Sequence, residues 1–272
     1  MLWQLSVGFA LAAVIGYLGY RRGALSKSGV VGAILTGGVI FGFGGLSGAA
    51  LLLAFFISSS FLSRFKESQK EKLAEKFSKG SQRDLWQALA NGGVAALCIG
   101  LYTLTDQPAW WAAAAAALAA ANADTWATEL GVLSKTPPRL ITNNRVVEAG
   151  TSGGISMLGT SAAFSGAVLI ALTGLFAVIF DPSLAPLRSV PLVPLLTFAG
   201  LFGSLFDSLL GATVQAIYFC DSCRKETERY PAHRCGSPTR QIRGWRWLNN
   251  DWVNFLATAV GAGLMSFVIF FL

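Results

Sequence analysis

Long apolar runs alternate with short polar ones along this chain. The apolar runs cover residues 2–20, 28–45, 46–63, 85–105, 109–133, 155–180, 191–219 and 252–272. Each matches or approaches the roughly 20 residues an α-helix needs to cross a bilayer. Gly44, Gly45 and Gly48 allow a tight turn between the second and third runs, which could instead form a re-entrant hairpin without changing the parity. Polar stretches lie at 64–83, 134–154 and 220–250, with short turns at 106–108 and 181–190. The pattern predicts an all-α fold: a polytopic transmembrane helical bundle of about eight spans, forming a single integral membrane domain over 1–272. The first run is followed by Arg21 and Arg22 and shows no small-residue cleavage site, so it reads as a signal anchor and not a cleaved signal peptide.

Composition supports this reading. The 272 residues are 53% hydrophobic and 13% charged, against about 25% charged in an average globular domain. Mean hydropathy is +0.55. These values exclude a soluble globular enzyme, a disordered tail and a secreted disulfide scaffold.

The net charge of +7 comes from 21 Lys and Arg against 14 Asp and Glu. In a bilayer protein its placement matters more than its sum, and no nucleic-acid partner is expected. The basic residues fall into four clusters, at 21–27, 64–83, 135–145 and 224–246, with Arg188 alone outside them. Starting from an external N-terminus, eight spans bring all four clusters to one side. The positive-inside rule makes that side cytoplasmic and leaves both termini outside. In the 64–83 segment Phe65, Leu73 and Phe77 share a helical face, which suits an interfacial helix with snorkelling lysines, or a lid or anchor on anionic lipid.

A charge inside a span costs roughly 2.5–3.5 kcal/mol on the insertion scale, so the polar residues there are the informative ones. In 121–131, Asn122, Asp124, Thr125, Thr128 and Glu129 fall within an arc of about 160° on a helix. In 203–215, Ser204, Asp207, Ser208, Gly211 and Gln215 line a stripe of about 100°. Near the last span Asp251 shares a face with Asn254 and Thr258, behind Asn250 and three tryptophans. A helix–helix hydrogen-bond seam is the alternative reading of the first two faces, more so of the second, where Gly and Ser also make ordinary packing faces, and Asp251 also suits an N-cap.

The 134–154 loop adds Lys135, Arg139, Arg145 and Glu148, then a Gly/Ser/Thr run with Ser152 that opens the next helix and could cradle phosphate. Oxygens suited to Mg²⁺ and cations suited to phosphate at one membrane face point to phosphoryl transfer on a phosphorylated lipid or isoprenoid.

The runs at 121–131, 150–154, 203–215 and 243–254 resemble the phytyl-phosphate kinase family of integral membrane proteins. The resemblance covers almost the whole chain. It implies conversion of phytyl or a related prenyl monophosphate to the diphosphate in prenyl-lipid (tocopherol, phylloquinone) synthesis, with a nucleoside triphosphate as donor. A more distant similarity, from Asp124 and Gly131 through Lys135 to 142–154, joins the chain to CDP-diacylglycerol synthases and dolichol-kinase-like enzymes. It implies that Arg145 and Glu148 handle the nucleotide, CTP or another. The chain departs from the cytidylyltransferases in having Asn250-Asp251…Asn254 where they carry one more carboxylate.

On these grounds Asp124, Glu129, Asp207 and Asp251 are the candidate catalytic carboxylates, with Asp124, Asp207 and Asp251 as Mg²⁺ ligands. Asn122, Thr128, Lys135, Arg139, Arg145, Glu148, Ser152, Ser204, Ser208, Gln215, Arg243, Arg246, Asn250 and Asn254 are the candidate substrate and phosphate contacts. The expected partners are the lipid bilayer, a prenyl-phosphate substrate and a nucleotide. A prokaryotic inner or photosynthetic membrane is the expected location. A CTP-dependent nucleotidyltransferase and a transporter without chemistry are the alternatives; a transporter predicts polar residues through the full bilayer depth.

Cys220-x2-Cys223 and His233-x-Cys235 place the sole histidine and three of the four cysteines within one polar loop. On the cytoplasmic side disulfides are not expected, and three thiolates with an imidazole suit a closed, structural Zn²⁺ site. Such a site would pin the basic 220–250 loop over the reaction centre.

Overall fold

The structure is a computed structural model that describes residues 2–66 and 82–271. Seven long helices make the bundle among the described residues: α1 (Leu2–Arg21), α2 (Lys27–Arg64), α3 (Leu85–Thr105), α4 (Pro108–Gly131), α5 (Met157–Phe180), α6 (Leu192–Thr213) and α7 (Asn250–Phe271). All but α4 are long and apolar enough to cross a membrane. Residues 67–81, most of the expected interfacial helix, lie outside the described residues.

Helix α2 would be about 57 Å long if straight, nearly twice a bilayer core. It is broken at Gly45, whose φ of 57° and ψ of −150° leave the helical region and come at little steric cost only to glycine. The two legs then run back along each other. A Cβ on Gly48 would lie 2.8 Å from the Ile40 carbonyl oxygen, and one on Gly37 would lie 3.6 Å from Leu52. The expected turn at Gly44 and Gly45 is therefore present, and α2 is a helical hairpin. Helix α1 packs antiparallel on its first leg, with Gly8 against Gly42 and Gly16 against Val30.

Helix α4 is the centre, touching α2, α3, α5, α6 and α7. Residues 112–121 are each 2% exposed or less. Alanine there lets glycines of the surrounding helices come close: Gly200 meets Ala119, Gly203 meets Ala120, and Gly261 meets the Ala116 carbonyl. Small residues at such contacts bring backbones near enough for dense van der Waals packing, the main attraction between helices in lipid. Large apolar side chains such as Leu46, Phe61, Leu104 and Phe180 instead face outward.

Two spans begin or end differently from expectation. The 191–219 run stops being helical at Thr213, and Ile217–Cys220 forms strand β3. This strand is the middle of a three-stranded antiparallel sheet, between β4 (Lys225–Thr227) and β5 (Arg240–Arg243). The 155–180 run starts as a helix only at Met157, because β2 (Gly154–Ile155) pairs with β1 (Arg139–Leu140). The polar loops thus carry small sheets on an otherwise all-α bundle.

Contacts gather the described basic residues at one end of the bundle. The Ser26 N–H bonds the Arg83 carbonyl oxygen at 3.0 Å, and Arg83 feels the charge of Glu129 near the end of α4. Ser152 of the 134–154 loop bonds Glu228 of the 220–250 loop. The exception is again Arg188. At the opposite end it donates to the carbonyls of Val178 (3.2 Å) and Ile179 (2.9 Å), where a cation satisfies the end of α5.

Candidate functional site

Helices α4, α6 and α7 meet where a Cβ on Gly203 would lie 2.6 Å from the Ala120 Cβ and 2.9 Å from the Ala257 carbonyl oxygen. About one turn nearer the polar end stand Asp124 on α4, Asp207 on α6 and Asn254 on α7, with Asp251 about a turn further on. Ser204, 3% exposed, lies beside the Asp124 side chain. Asp207 lies within electrostatic reach of Asp124 and Glu228. Its Oδ2 is fully buried and has no hydrogen-bond partner among the described residues.

Glu228 is fixed by two donors to one oxygen, Oε1: the Ser152 hydroxyl at 2.9 Å and the Gln215 amide at 2.9 Å. Gln215 is 2% exposed. Asp124 and Glu228 thus both act electrostatically on Asp207, whose orphaned buried oxygen is costly unless a cation or donor meets it. Carboxylate oxygens are the donor type that a hard divalent cation such as Mg²⁺ takes; among the described residues, the group whose ligand atoms all lie within 4.8 Å of one another is the Cys/His set of the 220–250 loop.

A second cluster uses the other acid of α4. The Ser63 hydroxyl donates to Glu129 at 2.6 Å. Glu129 acts in turn on Arg83, whose pKa burial pushes down to about 10 while Glu129 opposes the shift. Arg83 therefore stays cationic at neutral pH. It is held by its backbone N–H to the Ala24 carbonyl (3.0 Å), by its side chain to Ser60 (3.4 Å), and by its guanidinium 5.4 Å from the Phe55 ring centre. Here a cavity of about 260 Å³ is lined by Arg22, Ser60, Ser63, Arg64, Gln82 and Arg83. Arg83 also walls an apolar crevice of about 60 Å³ with Gly16, Leu25, Phe55 and Phe56.

Several expected contacts turn out to be structural ties. Asn122, fully buried, donates to the Gly166 carbonyl at 2.8 Å and accepts from Ser58 at 3.1 Å. Its amide is spent joining α4 to α5 and α2, which corrects its assignment as a substrate contact. Arg243 donates to the carbonyls of Ala212 (3.0 Å) and Gly211 (2.9 Å). It closes the C-terminal end of α6 and is no free phosphate binder. Arg246 is bonded to the Tyr230 hydroxyl and lies over that ring. The N-cap of α7 is Asn249, which accepts from the Trp252 N–H at 3.2 Å, so Asp251 is not the cap. Thr258 donates to the Ala90 carbonyl at 3.3 Å, tying α7 to α3.

The 134–154 loop is folded on itself. Arg139 donates to the Asn144 carbonyl at 2.8 Å, while Thr128, Lys135, Arg145 and Glu148 are exposed. Its glycine run makes backbone contact: Gly153 has a φ of 81°, and a Cβ there would lie 2.4 Å from the Ala212 nitrogen. Ser152 alone of this run reaches the acid cluster. Ser208 is half-buried one turn beyond Ser204, and Asn250 opens α7.

Glu228, Ser63 and the cavity arginines Arg22, Arg64 and Arg83 are new relative to the sequence reading. Glu228 sits in a loop with no periodicity, among Lys225, Glu226 and Arg229, so no pattern marks it. Arg83 reads as one more cation of a basic run; its position just before the Asp84 cap of α3 is the one local clue.

In the 220–250 loop the ligand atoms of Cys220, Cys223, His233 and Cys235 all lie within 4.8 Å of one another. Cys220 Sγ is 3.7 Å from Cys235 Sγ, and His233 Nδ1 is 3.3 Å from the latter. Hydrogen bonds from Ser237 and His233 lower the Cys235 pKa to about 6.

Residues 10–262 match the model of the family described as integral membrane protein DUF92. Protein PGR of Arabidopsis thaliana is 34% identical over 281 residues, spanning 97% of this chain and 96% of that protein. A membrane protein of Methanocaldococcus jannaschii is 32% identical, over 98% of this chain and 94% of its own length. The chloroplastic protein VTE6 of Arabidopsis thaliana is 23% identical over 88% of this chain and 63% of that protein. No solved structure matches the chain significantly. A match over nearly the whole bundle, polar end included, makes this chain a multi-pass member of the DUF92 family of integral membrane proteins.

Proposed function

We propose that the chain is a membrane phosphotransferase that converts a prenyl monophosphate to its diphosphate at the expense of a nucleoside triphosphate. The observation that carries this is the pairing, at one end of the bundle, of the Asp124–Asp207–Glu228 cluster with the arginine-lined cavity. Asp124 and Glu129 project from the same helix about 7.5 Å apart along its axis.

Asp124, Asp207 and Glu228 would hold Mg²⁺, which supplies charge neutralisation on the donor phosphates. Arg22, Arg64 and Arg83 hold the acceptor phosphate, and the Ser63–Glu129 pair keeps Arg83 oriented and charged. The apolar crevice beside Arg83 gives the first carbons of the prenyl chain an apolar wall. An ionised phosphate oxygen of the acceptor attacks the γ-phosphorus, the bond to the β-phosphate oxygen breaks, and the nucleoside diphosphate leaves. The nucleophile needs no deprotonation, so positioning and charge carry the rate.

The sequence resemblance to phytyl-phosphate kinases supports this reading. So does the dense alanine core beyond Asp124, because a transport path would need polar groups through the full depth. By the positive-inside rule the polar end faces the cytoplasm, where nucleotides are, in a prokaryotic inner or photosynthetic membrane.

The test gives the purified protein in detergent phytyl or geranylgeranyl phosphate, Mg²⁺ and each γ-labelled nucleoside triphosphate, beside Asp207→Asn. Label in a prenyl diphosphate, lost in the variant, is expected. Labelled pyrophosphate with unlabelled lipid would replace the kinase by a nucleotidyltransferase. No turnover of any nucleotide would remove both.

A further inference from the structure

We propose that Cys220, Cys223, His233 and Cys235 bind one structural Zn²⁺, and that this ion holds Glu228 in place against Ser152 and Gln215, within electrostatic reach of Asp207. Zinc bound at about 2.3 Å by tetrahedral sulfurs sets neighbouring sulfurs about 3.8 Å apart. The Cys220–Cys235 separation of 3.7 Å meets that spacing, and is nearly twice the roughly 2.05 Å of a disulfide. The fourth ligand is buried: His233 is 4% exposed, turns Nδ1 to the Cys235 sulfur, and has no hydrogen-bond partner at Nε2 among the described residues.

The backbone is bent to bring the two pairs together. Arg224 and Gly236, each just after the second ligand residue of its pair, take left-handed φ values of 54° and 85°. The Arg224 N–H returns to the Cys220 carbonyl (2.8 Å), and the Gly236 N–H returns to that of His233 (2.9 Å). Four protein ligands leave no open position, so the role is structural.

Glu228 lies inside the loop that this ion closes, between Cys223 and His233. That loop touches the bundle through Glu228, on Ser152 of one neighbour and Gln215 of another. The far side of this polar lobe is tied separately to the end of α6, by Arg243 on the Gly211 and Ala212 carbonyls and by the Trp245 N–H on the Val214 carbonyl. Closing 220–235 with a metal removes chain entropy that would otherwise favour its release. Glu228 is thus a residue the zinc positions. Its consequence for phosphoryl transfer rests on the function proposed above, while the metal site does not.

The full chain, purified without a histidine tag, is analysed for metal by mass spectrometry. About one zinc per chain is expected. Cobalt exchange should give the intense visible absorption of tetrahedral thiolate-bound Co²⁺. Cys223→Ser and Cys235→Ser should lose both signals, and Cys98→Ala should keep them. Should the loop variants fail to fold, chelation of wild-type protein should release the zinc and raise hydrogen exchange across 217–243. Absent or substoichiometric zinc in folded protein, iron with sulfide in its place, or unchanged zinc in Cys223→Ser would overturn the proposal. Zinc without phosphoryl transfer leaves the metal site standing and removes the kinase reading; transfer without zinc does the reverse.

Discussion

Ser63 donates its hydroxyl to Glu129 at 2.6 Å, joining the last turn of α2 to the last turn of α4 across 66 residues of sequence. Breaking it from each side should differ. Ser63→Ala removes one hydrogen bond and should cost about 1 kcal/mol. Glu129→Leu also leaves the half-buried Arg83 without its compensating charge and should cost more, about 2 kcal/mol. Thermal unfolding in detergent reads the order, and equal losses would show that Glu129 does not support Arg83.

Asp207 should separate activity from stability. Its Oδ2 is buried without a donor among the described residues, so Asp207→Asn relieves a desolvated charge at almost constant shape. We expect phosphoryl transfer to fall at least about a hundredfold, by analogy with the loss of one electrostatic group at a reaction centre. The unfolding temperature should stay level or rise. A variant that is active but less stable would make Asp207 a structural residue.

Arginines at the polar end should fall into two groups. Arg243 is occupied by the Gly211 and Ala212 carbonyls, so Arg243→Met should lower stability by about 1–2 kcal/mol and leave KM for the prenyl phosphate unchanged. Arg22 lines the cavity, and Arg22→Gln should raise KM about tenfold with little change in unfolding temperature. Steady-state kinetics beside unfolding curves would show the opposite pattern if phosphate binds at the sheet.

Gly153 tests why the glycine-rich loop is glycine-rich. A methyl group there would lie 2.4 Å from the Ala212 backbone nitrogen, and φ is 81°. Gly153→Ala should therefore cost more than about 2 kcal/mol, whereas Gly150→Ala, with φ of 79°, carries a conformational cost of about 1 kcal/mol. Proteolysis of the 134–154 loop should follow the same order. Equal effects would mean that conformation and not close approach selects glycine.

Much of this protein is legible along the chain because a bilayer imposes long apolar periods that a sequence cannot hide. The helix runs, the turn at Gly45, the polar arcs bearing Asp124 and Asp207, and the Cys/His spacing are all local patterns, readable within one element. What a polar residue does with its face is decided elsewhere. Asn122 looks like Asp124 on a helical projection, but Gly166 and Ser58, 44 and 64 residues away, use up its amide. Arg243 carries the same charge as Arg22, yet two carbonyls at the end of α6 claim it. The 217–220 stretch is apolar enough to read as more helix, and turns to strand because 225–227 and 240–243 lie beside it to pair. Glu228 has no period and no neighbour in sequence that marks it; it matters because Ser152 and Gln215 meet on its carboxylate. Periodicity specifies which residues share a face, whereas hydrogen bonding and charge pairing depend on which other face arrives, and only the packed bundle decides that.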